Sequence, residues 1–234
     1  MEQQIEALKT TYDWGQSRVP LTELSDHIRA SFGNETELKN IRTALLSVLD
    51  SDAKYAAKQY VCRELSIIGN DDCVPALAKL LTDEKLSDMA RYALERIPGP
   101  AVDKALLAAL PRAEGKAKIG IVNTLGNRAC RDAVSETAKL ARSSDEALAC
   151  AAVSALGKMG GAEAANALAQ VADGVSEKVK PALYDARLTC ADRMVAEGDR
   201  AGARKIYQSL TATGVPQLVR TAALRGMRDA VSSR

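Results

Sequence analysis

The chain has 234 residues, and its 32 Lys and Arg against 30 Asp and Glu leave a net charge of only +2, with no basic run to track a phosphate backbone; nucleic acid is not a partner this balance favours. Aromatics are 3 %, with one Trp and one Phe, while Ala and Leu recur in almost every segment, which is the composition of closely packed helices. No stretch approaches the roughly 18 consecutive apolar residues that span a bilayer, so no membrane partner is expected.

The N-terminal MEQQIEALKT has no basic start followed by an apolar block. The chain is therefore expected in the cytoplasm, unless an export signal was removed ahead of Met1. WGQSRVP reads as a break, and TELSDHIRASFG as a helix with Leu24, His27, Ile28 and Ala30 on it. Residues 1–34 are expected to form a helical cap that covers the first open face of a stack. His27 is the only histidine; it has no evident partner and is expected to face the cap interior or solvent.

From there the chain repeats itself. DEKLSDMARYAL (Asp83 to Leu94), EGKAKIGIVNTL (Glu114 to Leu125) and DEALACAAVSAL (Asp145 to Leu156) align, with their acids and their terminal leucines 31 residues apart. Four and eight positions before each leucine stand Ala90 and Leu86, Ile121 and Ala117, and Ala152 and Leu148, one apolar stripe at helical spacing. A looser copy ends at Leu65, preceded by Val61 and Ala57. Between these lie Val74, Leu77, Leu80 and Leu81; Val102, Leu106 and Leu110; Val134, Ala138 and Ala141; and Ala165, Leu168 and Ala172. Helices this short do not stand alone in water, so the unit is a helical hairpin packed on its neighbours.

The acids Asp83, Glu114 and Asp145 are expected to cap helix starts. Gly69, Gly99, Gly126 and Gly160 are expected to close helix ends, and Pro75, Pro100 and Pro216 fall near helix starts. Near residues 176–214 the period stretches, and ADRMVAEGDRAGARKIYQSL resembles a tetratricopeptide hairpin with Gly198 at its turn and Ala201, Ala203 and Tyr207 packed behind it. PQLVRTAALRGM then reads as a last repeat.

Chemistry is poorly supported. The cysteines, Cys62, Cys73, Cys130, Cys150 and Cys190, are odd in number, lack CxxC spacing and mostly sit among apolar residues on helical faces, as expected of buried thiols in a reducing compartment. No metal site and no cofactor are expected, since His27 has no thiolate pair near it. A Ser-His-Asp or Cys-His site would have to use that same terminal histidine. Ser51 to Lys54 matches Ser-x-x-Lys by spacing without its companion motifs, and Asp52 reads as a cap. GKMGGAEAA follows a helix rather than a strand and lacks a phosphate-loop pattern, and Asp71 and Asp72 sit at a turn where capping explains them.

The repeated pattern resembles HEAT repeats of the bacterial kind related to phycobilisome-lyase repeats, on SSDEALACAAVSALGKMGG, IVNTLGNRA, ARYALERIPG and AAKQYVCRELSIIG. Lys58, Lys118 and, in LVRTAALRGM, Arg220 keep the basic residue of that pattern, whereas Ser87 and Ala149 depart from it. The resemblance covers roughly residues 35–232. It implies an all-α, right-handed α-solenoid of about seven helical hairpins, with HEAT-like repeats over 35–175 and an irregular hairpin plus a final repeat over 176–234.

The resemblance also implies that the second helix of each hairpin lines a concave side. The free positions there are richest in adhesive groups in the first two repeats: Tyr55, Lys58, Gln59, Arg63, Asp88, Arg91 and Tyr92, with Asn123 following on the next. The expected function is a non-catalytic scaffold, one part of a larger bacterial protein, that binds a protein or peptide there. The alternative is an enzyme on the same scaffold, such as a bilin-lyase-like protein acting on a small molecule, which requires an enclosed pocket with convergent polar groups. A HEAT-like DNA glycosylase is disfavoured by the near-neutral charge and the single Trp.

Overall fold

The computed structural model describes residues 1–232, and among them the regular structure is helical throughout, with fourteen α-helices and two 3-10 turns. The chain parts into two compact units, Met1–Ile121 and Val122–Arg234. The first holds α1 (Glu2–Thr10), α2 (Val19–Ala30), α3 (Glu35–Leu49), α4 (Tyr55–Ile68), α5 (Val74–Lys79), α6 (Ser87–Leu94) and α7 (Pro100–Ala109). The dividing point falls in α8 (Gly115–Asn127). The second unit continues with α9 (Val134–Leu140), α10 (Glu146–Met159), α11 (Gly161–Val171), α12 (Lys180–Ala196), α13 (Arg200–Ser209) and α14 (Gln217–Ser232).

Within the first unit α3 pairs with α4 and α5 with α6, while α4 packs on α6 and α5 on α7. Within the second, α9 pairs with α10, α11 with α12 and α13 with α14, while α10 packs on α12, α12 on α14 and α9 on α11. Within each unit successive hairpins therefore pack on one another, as in the stacking of an α-solenoid. α1 packs on both α2 and α3.

The 31-residue stripe is the core. Leu65, Leu94, Leu125 and Leu156 are fully buried, as are Ala57, Val61, Ala90, Ile121 and Ala152. The alternate helices keep the expected stripe less strictly: on α9 Thr137 is fully buried where Ala138 was expected, and on α11 Ala164 and Val171 accompany Leu168 in place of Ala165 and Ala172. In the α12–α13 hairpin Ala203 and Tyr207 are buried, but Ala201 faces solvent.

Caps follow their chemistry. Asp145 Oδ1 accepts from the amides of Ala147 (2.9 Å) and Leu148 (3.2 Å) at the start of α10, whereas Asp83 Oδ1 accepts from those of Lys85 and Leu86 (both 2.8 Å) in the turn ahead of α6, whose own N-cap is Leu86. At the turn before α5 it is Asn70, not Asp71 or Asp72, that caps, accepting from the Asp72 amide at 3.1 Å. The glycines divide into two kinds. Gly160, at φ +66°, ends α10 as expected, and Gly99, at φ +98°, precedes α7 rather than closing α6. Gly69 and Gly126 are not left-handed terminators: a Cβ on Gly69 would lie 2.8 Å from Ile97 Cδ1, and one on Gly126 2.7 Å from the Ala155 α-carbon. They are small because a neighbour passes too close for a side chain.

Candidate functional site

The outer face of α4 is set by its inner one. Ala56, Ala57, Tyr60, Val61 and Leu65 are buried, which turns Gln59 and Arg63, one helical turn apart, outward along the same edge. Opposite them runs the segment between α1 and α2 that carries Trp14 and Arg18. The two sides border a cleft of about 420 Å3, with Leu21, Ala56 and Met89 as apolar lining residues and Trp14, Arg18, Gln59 and Arg63 supplying polar and aromatic groups.

Tyr60 fixes one wall. Its hydroxyl donates to the Leu21 carbonyl at 2.9 Å and lies 2.9 Å from Ser25 Oγ. Burial pushes its phenol pKa well up, against the opposing effect of the hydrogen bond shared with Ser25, so the ring stays neutral. The Arg63 guanidinium stacks 5.3 Å from the centre of that ring and donates to Glu64 Oε1 at 3.2 Å. The Glu64 carboxylate is itself buried and also accepts from Ser25 at 3.2 Å. Arg63 is thus oriented from below while 47 % of its side chain remains exposed. Trp14 is 64 % exposed, and its backbone amide is tied to Asp13 Oδ1 at 2.8 Å. Arg18 is exposed, and its side chain has no hydrogen-bond or ion-pair partner among the described residues.

Of the eight candidate residues, the cleft contains Gln59 and Arg63. Tyr55 and Tyr92 are exposed elsewhere on the first unit, and Arg96 stacks 3.9 Å from the centre of the Tyr92 ring. Lys58 is half-buried. Arg91 turns inward: it pairs with Asp88, donates to the Gly120 carbonyl at 3.3 Å, and has only 17 % of its side chain exposed. Asn123 is exposed on the second unit. Trp14, Arg18 and Tyr60 are cleft residues that sequence reasoning left out. The available signal was the chain's single Trp four residues from an arginine, in a segment read only as a break.

His27, expected without a partner, places Nε2 2.8 Å from Glu37 Oε1 at the α2–α3 junction. Ser51 closes a turn, donating to the Val48 carbonyl at 2.8 Å and accepting from the Ala53 amide. Among the described residues no group of three or more His, Cys, Asp or Glu could hold a metal ion, and no helix is long and apolar enough to cross a membrane.

Residues 102–187 match the model of HEAT repeats, so the resemblance read from the sequence is met over that segment. Over the whole chain, two solved structures align at low similarity. One is a designed armadillo repeat protein in complex with the peptide (KR)4, at 20 % identity and TM-score 0.38, covering 97 % of this chain and 98 % of that one. The other is an engineered protein from a structural genomics consortium, at 21 % identity and TM-score 0.33, covering 99 % and 96 %. No curated protein matches the chain.

Proposed function

We propose that the chain is a non-catalytic repeat scaffold that binds a protein or peptide on the α4–α6 side of its first unit. The observation that carries this reading is the cleft beside α4, where an exposed Trp and an arginine stacked on a buried tyrosine stand above an apolar lining. Trp, Tyr and Arg are the side chains that contribute most to protein interfaces. Tyr55, Lys58, Asp88 and Tyr92 extend the surface along α4 and α6 of the first unit.

The cleft is open and lined by groups suited to adhesion rather than by a base set on a nucleophile, which favours docking over chemistry. In this reading residues 1–34 cap the stack, 35–175 supply its repeats and 176–234 the irregular hairpin and last repeat. Buried cysteines used as packing groups suit a reducing, cytoplasmic setting. Charge reversal at Arg63 combined with Tyr92→Ala is expected to reduce retention of the native partner on immobilised protein while leaving helical circular dichroism unchanged. Equal retention by the variant and the parent chain overturns the proposal.

A further inference from the structure

We infer that the segment docking in the first unit's cleft is acidic: a peptide carboxylate held by Arg63 and Arg18, with an apolar or aromatic side chain beside it on Trp14. This inference rests on the reading of the cleft as a docking groove and adds the partner's chemistry to it.

The charge of the lining decides the sign. Arg18 and Arg63 are the charged residues that line the cleft, and no carboxylate lines it. Two acids adjacent in sequence to lining residues are hydrogen-bonded. Glu64 lies beneath Arg63 with 6 % of its side chain exposed, accepting from Arg63 and Ser25, and Asp13 holds the Trp14 amide. A basic segment would meet two guanidinium groups and no carboxylate in the lining. A neutral one would cover them without supplying an anion. A carboxylate supplies what the guanidinium fork of Arg63 still has free, and charge-assisted bonds of this kind are about twice as strong as neutral ones.

The geometry is also prepared for it. Stacking on Tyr60 and the bond to Glu64 restrict the rotamers of Arg63, so less ordering is lost when a ligand binds. Arg18 stands on the facing wall without a competing partner. Trp14 offers an exposed indole in the same lining, and the amides of Gln16 and Gln59 can donate to and accept from a peptide backbone. A volume of about 420 Å3 falls within the range of about 300–1,000 Å3 that encloses a drug-sized ligand, room for a few residues of a segment.

The test is selection of a random nonapeptide phage library on the full chain, with parallel selection on an Arg18→Glu chain and on an Arg63→Glu chain. Arg18 has no partner to lose, so its substitution keeps the test meaningful even if the Arg63 variant misfolds. Enriched peptides are expected to carry Asp or Glu next to an aromatic or branched aliphatic residue. A synthetic copy is expected to change Trp14 fluorescence, with affinity falling about tenfold for Glu→Gln in the peptide or Arg18→Glu in the protein, a loss on the scale of one charge-assisted pair. Affinity should also fall with added salt. Basic or uncharged peptides that bind at Trp14 would overturn the acidic assignment and leave the docking groove standing. If the parent and both variants enrich the same sequences, or none, the acidic assignment and the groove both fail.

Discussion

Gly157 of α10 faces Ala186 of α12 so closely that a Cβ added at Gly157 would lie 2.8 Å from the Ala186 α-carbon. The same relationship recurs one period earlier, where Gly126 faces Ala155. In both pairs the glycine directly follows an aligned core leucine. Gly157→Ala is therefore expected to destabilise by about 1–3 kcal/mol through overpacking, although alanine is the better helix former by about 1 kcal/mol. Urea denaturation of the parent and the variant reads the difference, and a stabilised variant would show that the helices can part without cost.

Arg42, almost fully buried, donates to the Ile68 carbonyl at the end of α4 (3.3 Å) and pairs with Glu35. The pattern is shared: Arg142 donates to the Gln170 carbonyl at 2.9 Å and Arg193 to the Lys158 carbonyl at 2.7 Å, each near a helix C-terminus. These terminal carbonyls have no partner within their own helix, and a cation beside them also suits the negative end of the dipole. Arg42→Ala is expected to lower stability by about 2–3 kcal/mol, since a charged donor is lost and a buried acceptor stranded. Thermal denaturation checks this.

The buried Thr137 is expected to respond in the opposite direction. It is completely buried on α9, and its hydroxyl finds no hydrogen-bond partner among the described residues. Thr137→Val keeps the shape and removes a stranded polar group, so the variant should gain about 1 kcal/mol. A loss on urea denaturation would mean that the hydroxyl is satisfied in solution.

Alkaline pH should weaken the fold. Burial pushes the Cys62 thiol up from 9.0 to about 12, against the opposing charge of Lys58, and the Cys190 thiol up to about 11, with Glu197 adding to the rise; Cys73 is raised as well, again chiefly by burial. Above pH 9 the unfolded chain releases these protons while the native chain keeps them. The unfolded state then binds fewer protons, and stability falls as pH rises. The loss begins near the ordinary thiol value of 9.0 and continues until the native thiols titrate, at about 11 for Cys190 and about 12 for Cys62. Each fully buried thiol contributes a slope of up to about 1.4 kcal/mol per pH unit. Urea midpoints measured from pH 8 to 10.5 should fall, and Cys62→Ala should flatten the decline.

Repetition made the core legible. A helical stripe copied every 31 residues identifies Leu94, Leu125 and Leu156 as interior without any tertiary knowledge, because only a stacked hairpin buries such a stripe. The sequence was less informative about glycine: Gly126 is a surface of approach rather than a helix end, a distinction that depends on where Ala155 comes to lie. The same holds for the candidate site. Gln59 and Arg63 could be found by counting along α4, whereas Trp14 and Arg18 reach the cleft through a turn whose course is set by tertiary contacts. Arg91 had the composition of a binding residue, but the glycine at position 120 leaves room for its guanidinium to pack inward.

Site-specific photocrosslinking shows whether a polypeptide docks in the cleft beside α4. A benzophenone amino acid is placed at Gln59 in the cleft or, as a control, at the exposed Glu163 of α11, and each chain is irradiated in native extract. A discrete polypeptide adduct is expected from position 59, one that position 163 does not give and that Arg18→Glu suppresses. No adduct from position 59 beyond that of the control would contradict it.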